Sequence, residues 1–323
     1  MATTTPPQDQ SRRGTGERAP GRLGNVIFKG ISTTSGVMIL VTLAAVAIFL
    51  LYRAWPALVA NAEEFADVSF IEGNLWEWVA PLLFGTVLAA VIALVVAMPL
   101  SIGIALFISH YAPRRLAQLL GYIIDLLAAI PSVIFGLWGF QWLRPLVEPL
   151  FAWLSSNLGF IPLFADYTSP ARNITTGGLV LAIMIVPIIT ATIREVFLQT
   201  PRLHEEASLA LGSTRWEMIR QAVLPFGRSG IISAAMLGLG RALGETMAIL
   251  IVLSPGYAIN FFLLQAGQHN TIAANIALHF PESSGIAVDA LIASGLILFA
   301  VTFGVNMLAR WIINRRAEFS GAN

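Results

Sequence analysis

The sequence predicts an all-α, polytopic membrane protein with six transmembrane helices and both termini in the cytosol. Only 11% of its 323 residues are charged and 56% are hydrophobic, whereas soluble domains usually carry about 25% charged residues. Six apolar stretches are long enough to cross a bilayer, and most basic residues lie in the segments on one side of them. These three observations indicate a chain whose outer surface faces lipid.

The spans follow from the length rule that a membrane-crossing helix needs about 20 mainly apolar residues. This rule predicts spans at about 35–53, 79–108, 117–140, 176–197, 229–253 and 286–312. Pro99, Pro131 and Pro187 lie inside three of them, and such prolines are tolerated where neighbouring groups satisfy the freed backbone. The predicted organisation is therefore a disordered tail over 1–34, a transmembrane domain over 35–316 and a short tail over 317–323.

The orientation follows from the distribution of lysine and arginine. All but four of the 19 Lys and Arg residues fall in 1–34, 109–116, 194–228 and 310–323; the four others are Arg53, Arg144, Arg172 and Arg241. Basic loops stay on the cytosolic side of a membrane. Both termini and the 199–228 loop are therefore predicted to be cytosolic, and the loops 54–78, 141–175 and 254–285 are predicted to lie outside.

The 199–228 loop has the pattern of two short amphipathic helices around a glycine. Thr200 and Pro201 are suited to begin the first helix, and Gly212 is suited to the left-handed turn that ends it. Thr214 and Glu217 have the spacing of a capping box, so a second helix is predicted to run from there to Pro225. This unit is either a helical linker on the bilayer or a docking element for a cytosolic partner. Nucleic acid is not an expected partner, because the flanking spans hold the unit against the membrane.

Two opposite charges lie inside the fifth predicted span, in the stretch GLGRALGETMAIL at 238–250. Arg241 and Glu245 are four residues apart and share a face of a continuous helix, so they are predicted to pair. A lone charge at the bilayer centre costs at least about 2.5–3.5 kcal/mol. Two interpretations remain open. The pair either fixes the helix register or lines a route on which Arg241 attracts an anion and Glu245 accepts a hydrogen bond from a protonated oxygen.

The residues do not predict a nucleotide, metal or catalytic site in this chain. A phosphate-binding loop requires G-x-x-x-x-G-K-[ST], but the one lysine, Lys29, follows Phe28. There are no cysteines, and the four histidines (His110, His204, His269 and His279) show no metal-binding spacing; they are interpreted as ordinary loop residues. Asp125, in the third span, is predicted to be a buried acid with a structural role.

The second part of the 199–228 loop resembles a known signature. Glu206-Ala207-Ser208, followed by Gly212 and then by Val223-Leu224-Pro225, resembles the EAA signature of the membrane subunits of ABC importers. Ser208 and Ala222 depart mildly from it. Four stretches, AMPLSIGIALFISHYAP, LLAAIPSVIFGLWGF, IVPIITATIREVF and GLGRALGETMAI, resemble phosphate-import permeases of the PstC type. This likeness covers most of residues 75–315.

The resemblance implies a type I ABC-importer permease fold in the bacterial cytoplasmic membrane, with phosphate as the substrate. It also implies three protein partners, namely a second permease (PstA-like), a dimeric ATP-binding subunit (PstB-like) that binds ATP and Mg²⁺, and an extracytoplasmic phosphate-binding protein (PstS-like). The residues implied in ATPase coupling are Glu206, Ala207, Ser208, Gly212, Leu224 and Pro225. The alternatives are a permease for another oxyanion and a secondary anion transporter that uses Arg241 and Glu245. Secondary transporters usually show two repeated halves, and no convincing duplication relates 35–140 to 176–312.

Overall fold

The computed structural model describes residues 22–317, with side chains described for residues 24–311. The described part is built from α-helices with short 3₁₀ and π turns and contains no β-strand. The helices are α1 (Arg22–Val59), α2 (Leu75–Leu106), α3 (Arg114–Ala128), α4 (Ser132–Trp138), α5 (Arg144–Leu158), α6 (Ile174–Leu198), α7 (Arg202–Ala210), α8 (Arg215–Met218), α9 (Leu224–Leu243), α10 (Met247–Val252), α11 (Ile272–His279) and α12 (Ile286–Ala317). The chain divides into one unit that ends at Tyr52 and another that begins at Arg53.

The predicted membrane character is confirmed. By length and composition, five helices of the described part are able to cross a bilayer, and a bent pair of helices would make a sixth. Helices α1 and α6 contain the predicted first and fourth spans and extend beyond both predicted ends. Helix α2 together with the π turn Phe107–Tyr111 contains the second span, and α12 begins with the sixth span and extends beyond its end. Pro99 and Pro187 lie inside α2 and α6, which continue through them.

The first predicted tail overlaps the beginning of helix α1. Helix α1 begins at Arg22, whereas the composition of the sequence predicts disorder up to residue 34. The helix is able to extend because no proline follows Pro20 until Pro56, and Val26, Ile27 and Phe28 add apolar residues before the predicted span. Residues 1–21, and residues 318–323 of the second predicted tail, lie outside the described part.

The third predicted span is not a straight helix. Helix α3 ends at Ala128, and the helical segment Ser132–Leu158 leaves it at an angle of 93°. Proline disfavours the helical conformation of the residue before it, so Pro131 ends α3 and begins α4. The predicted single helix over 117–140 is therefore wrong, and much of the predicted outer loop 141–175 is helix α5. Asp125, predicted to be buried, is exposed on α3.

Helix α6 forms the centre of the packing in the second unit. Two thirds (67%) of its most apolar 18-residue window is buried. Helix α9 packs against it through Gly227, Gly230 and Gly238, where an added Cβ would clash with the side chains of Phe197, Val196 and Ile189 respectively. Small residues let helix backbones approach closely in lipid, where dispersion contacts favour association. The close approach fixes α9, which carries Arg241, against the central helix.

Hydrogen bonds connect the segment after α10 to the beginning of α6. The Asn173 side-chain oxygen accepts a hydrogen bond from the Thr176 N–H (3.0 Å), which caps α6, and its amide nitrogen donates to the Leu264 carbonyl (3.0 Å). Thr175 donates its hydroxyl to the Leu263 carbonyl (2.8 Å), and the Arg172 guanidinium donates to the Leu253 carbonyl (2.9 Å). These bonds hold the start and the middle of the segment between α10 and α11 against the beginning of α6.

Candidate functional site

The predicted fifth span breaks beside its acidic residue. Helix α9 ends at Leu243 and α10 begins at Met247, so Glu245 lies in the break and not on a continuous helix. Its side chain is buried, with 8% exposed, and its Oε1 atom accepts a hydrogen bond from the Ala248 N–H at 3.0 Å. This bond satisfies one of the N–H groups that the start of a helix leaves unpaired. The predicted helix over 229–253 is therefore wrong, and Glu245 caps α10.

Arg241 does not pair with Glu245. In the part of the chain that the structure describes, no carboxylate lies within 4.0 Å of the Arg241 guanidinium. The predicted ion pair is wrong because α9 ends between the two residues, which removes the shared helix face. Arg241 lies in the last turn of α9, and Glu245 lies at the first turn of α10. Each charge therefore has the sign that stabilises its own helix end.

Arg241 borders an open groove of about 650 Å³. Its walls are Ser233, Met236, Leu237, Gly240 and Arg241 of α9, Asn306, Ala309 and Arg310 of α12, and Ile188 of α6. None of these nine lining residues is acidic, and two are arginines. In the sequence, Arg310 contributes only to the predicted orientation, and its place in one groove with Arg241 was not predicted. The available signal was the spacing of Asn306 and Arg310, which puts two polar side chains on one face of the last apolar span.

The small residues of α9 near Arg241 face different surroundings. Ala234 and Ala242 are buried, and Gly238 packs against Ile189 of α6. An added Cβ at Gly240 would meet no atom within 4 Å, so this glycine opens onto the groove. Ala234, Gly238 and Ala242 therefore let α9 pack closely, and Gly240 widens the space beside Arg241.

Histidine and acidic side chains do not form a metal site in the described part of the chain, where no three potential ligands come together. His269 is buried, its Nε2 atom lies 2.9 Å from the Asn260 carbonyl, and burial lowers its pKa. His279 stacks on the Phe70 ring at 4.2 Å. His110 Nε2 lies 3.4 Å from the Glu205 carboxylate and so connects α7 to the turn that ends α2. These contacts are structural ones.

The turn between the two short helices of the 199–228 loop matches the prediction. Gly212 has a φ of +86° and follows α7. Thr214 and Glu217 form the predicted capping box: the Thr214 N–H donates to the Glu217 carboxylate (2.8 Å), and the Glu217 N–H donates to the Thr214 hydroxyl (3.3 Å). The backbone bond, and then the hydroxyl bond, from Thr214 lower the pKa of Glu217. The first cap is one residue later than predicted, at Pro201, because the Thr200 hydroxyl is buried and makes no capping bond.

The second helix of this loop does not end at Pro225. After α8, a π turn over Ile219–Val223 leads directly into α9, and a single helical segment runs for 29 residues from Arg215 to Leu243. Proline lacks an N–H and its ring clashes with the carbonyl four residues earlier, and the wider π turn places Pro225 in the first turn of α9. The predicted boundary at residue 228 between loop and span is therefore wrong, because the two share one helix.

The EAA-like residues divide into a buried and an exposed group. Ser208, at the position where the signature has alanine, is 9% exposed and donates its hydroxyl to the Gln221 side-chain oxygen at 3.3 Å. This bond joins α7 to the π turn. Glu206, Ala207, Gly212 and Pro225 are exposed, and Leu224 is half-buried. The apolar side chains beside them are also exposed, with Leu203 at 78% and Leu211 at 88%; Leu203, Glu206, Ala207 and Leu211 are called the α7 surface below.

Comparison with known protein families identifies the chain. Residues 97–317 match the family described as "Binding-protein-dependent transport system inner membrane component", which is well over half of the sequence. The chain belongs to this family. As a transport-system inner membrane component with several apolar helices, it is a multi-pass protein of the cytoplasmic membrane and a permease subunit.

Relatives of this inner membrane component are similar over nearly the whole chain. The "Phosphate transport system permease protein PstC 2" of Mycobacterium tuberculosis is 45% identical over 301 residues, which cover 91% of this chain and 93% of the relative. The PstC protein of Mycobacterium leprae is 47% identical over 84% of this chain and 88% of its own. The PstC protein of Xylella fastidiosa (strain Temecula1) is 37% identical over 99% of this chain and 100% of its own.

Solved structures confirm the type I ABC-importer permease fold. A chain of the bacterial alginate ABC transporter in complex with an alginate-bound periplasmic protein aligns with a TM-score of 0.57, and the match covers 89% of this component and 97% of that chain. A second structure of a bacterial importer of alginate gives a TM-score of 0.53, with 90% and 98% covered. The sequence identities are 17% and 15%, so the likeness concerns the fold alone.

Proposed function

We propose that this protein is the permease subunit of an ATP-driven phosphate importer and forms half of its translocation pathway. The observation that carries the proposal is the likeness to proteins named phosphate transport system permeases, at 45% identity over 91% of the chain. The groove beside Arg241 supports it, because a cationic wall without a carboxylate favours an anion. The chain itself catalyses no reaction in this proposal.

Arg241 and Glu245 line the proposed pathway at two separate points. Arg241 offers an exposed guanidinium, which binds phosphate oxygens through parallel N–H donors. Glu245 holds the break that gives α9 its free end, and its carboxylate accepts a hydrogen bond from a protonated phosphate oxygen. Phosphate carries such a proton near neutral pH and sulfate does not. The two residues therefore act at separate points of the proposed pathway and not as a mutually neutralised ion pair.

The proposed partners divide the remaining tasks. A dimeric ATP-binding subunit (PstB-like) binds ATP and Mg²⁺ and docks on the α7 surface together with Ser208, Gly212, Leu224 and Pro225. A homologous permease (PstA-like) supplies the other half of the pathway, and an extracytoplasmic phosphate-binding protein (PstS-like) delivers the substrate. The exposed leucines of the α7 surface support the docking, because large apolar side chains left in water mark interaction sites.

The test is ATP-dependent uptake by the complex of this chain with its neighbouring partner chains, reconstituted in vesicles. We expect uptake of labelled phosphate that requires ATP and the phosphate-binding protein. Uptake of sulfate or molybdate in place of phosphate would instead identify a permease for another oxyanion.

The proposed orientation gives a separate prediction. A reporter fused after Ser213 is expected to report the cytosol, and one fused after Glu64 the outside, because the basic residues lie on the Ser213 side. Alkaline phosphatase and green fluorescent protein fusions at both positions measure this. The opposite pattern at either position would overturn the orientation.

A further inference from the structure

The groove between α9 and α12 brings two arginines from different helices to one space. Along α9, Ser233, Leu237 and Arg241 follow at intervals of four residues and line the same side. Eight residues of α-helix rise about 12 Å, so the groove follows the helix for two turns. On α12, Asn306 and Arg310 are one turn apart and face the same space. Arg310 therefore provides a second cation in a groove that already contains Arg241.

Within the described part of the chain, no acidic group balances the charges of this groove. Among the described residues, neither Arg241 nor Arg310 has a carboxylate within 4.0 Å, and no wall residue is acidic. Two like charges repel, and the repulsion is stronger beside apolar walls than in bulk water. Ile188, Met236 and Leu237 supply such walls. The arrangement is stabilised when an anion occupies the groove.

The side chains of the groove suit a tetrahedral oxyanion. Each guanidinium presents planar N–H donors that match the oxygens of phosphate in pairs. The Ser233 hydroxyl and the Asn306 amide add neutral donors. The volume of about 650 Å³ admits a phosphate group together with part of its hydration shell.

We propose that Arg241 and Arg310 are two stations for one phosphate oxyanion, which moves along the groove between them. The inference rests on the proposed function as a phosphate permease and extends it to a residue outside the EAA-like and GLGRALGETMAIL segments. A free phosphate ion and the phosphate group of an anionic lipid share this chemistry, so the experiment must distinguish the two sources.

The experiment compares Arg310→Gln and Arg310→Lys in the complete complex, reconstituted in vesicles of phosphatidylcholine alone or with phosphatidylglycerol. We expect uptake by Arg310→Gln, per assembled complex, to fall at least tenfold in both vesicle types, with a raised KM for phosphate. Arg310→Lys should keep part of the activity, because it retains the charge but not the paired donors. Arg115→Gln is the matched control, since Arg115 is exposed on α3 and outside the groove.

A direct binding measurement complements the uptake. Phosphate, but not chloride, should slow the modification of Arg310 by phenylglyoxal in the wild-type complex, as followed by mass spectrometry. A loss confined to vesicles with phosphatidylglycerol would assign the site to a lipid phosphate group. Wild-type uptake by Arg310→Gln in both vesicle types, together with no protection by phosphate, would overturn the proposal.

If the proposed function as a phosphate importer is wrong, the same experiment gives a different result. If the wild-type complex imports another oxyanion and not phosphate, the comparison of Arg310→Gln with wild type is repeated with that ion. Unchanged uptake of that ion would then overturn the role of Arg310, and reduced uptake would support an oxyanion site for a different substrate.

Discussion

The Arg241→Gln variant is expected to assemble like the wild type and to lose phosphate uptake by at least tenfold. Arg241 is exposed and has no carboxylate within 4.0 Å among the described residues, so its removal leaves no buried charge without a partner. Phosphate uptake falls because the anion loses the guanidinium that binds it. The measurement is uptake of labelled phosphate divided by the amount of assembled complex in the membrane.

Glu245 variants should behave differently, because this carboxylate is buried and caps α10. Glu245→Gln keeps an oxygen that can accept the Ala248 N–H, and loses only the favourable interaction of a charge with the helix start, about 0.3–1 kcal/mol. Glu245→Leu leaves the Ala248 N–H unsatisfied, which costs about 1–3 kcal/mol, and should lower the amount of assembled complex. The Gln variant is therefore the one that reports on uptake.

The double variant Arg241→Gln with Glu245→Gln tests whether the two residues are independent. Separate residues give changes in stability that add, whereas contacting residues do not. We expect additive effects on thermal stability and no recovery of uptake. Recovery of uptake in the double variant, compared with Arg241→Gln alone, would show that the two charges pair in the working transporter.

Gly212→Val is expected to leave membrane insertion unchanged and to reduce ATPase recruitment and uptake about tenfold. Gly212 has a φ of +86°, a conformation that is a true outlier for a β-branched residue and costs about 1–3 kcal/mol. An added Cβ there would meet no atom within 4 Å, so the effect is one of backbone conformation and not of a clash. The turn would open and displace the α7 surface from its place beside the π turn.

Gly212→Asn is the matched control, because asparagine adopts the left-handed conformation more readily than most residues. Copurification of the ATP-binding subunit and substrate-stimulated ATP hydrolysis measure the difference between the two variants. If the valine and asparagine variants behave equally, the conformation of this turn has no role in coupling the ATPase to the permease.

Local features of this loop could be predicted because they depend on neighbouring residues. The left-handed turn at Gly212 and the bond between Thr214 and Glu217 require only a glycine, a threonine and a glutamate at fixed spacing. The helix of the fourth span was predicted equally well, since its apolar residues continue without interruption for the length of a membrane.

Three prolines show why other features could not be predicted. Pro187 lies inside α6, Pro131 ends a helix at a 93° bend, and Pro225 follows a π turn in a helix that continues. The three outcomes depend on how the surrounding structure satisfies the carbonyls that each proline leaves without an N–H partner. The sequence around each proline is apolar in all three cases and does not distinguish them.

The groove and the break at Glu245 also could not be predicted from the sequence pattern. No proline marks the end of α9, and the Gly-Glu-Thr stretch that follows is compatible with a helix. The break depends on the capping bond to Ala248, and α10 is packed against Gly136 of α4. Arg310 and Arg241 line one groove because α9 and α12 are neighbours, and neither helix sequence predicts that neighbourhood.

The continuous helix from Arg215 to Leu243 has a mechanical consequence. A segment of 29 residues is about 43 Å long at 1.5 Å per residue, and it has the capping box at one end and Arg241 in its last turn at the other. A rigid rod of this length that tilts by about five degrees about its midpoint moves its two ends by about 2 Å in opposite directions, which is a large part of the length of a hydrogen bond. The helix can therefore work as a lever, in which a short displacement of the Arg215 end changes which groups the Arg241 guanidinium can reach.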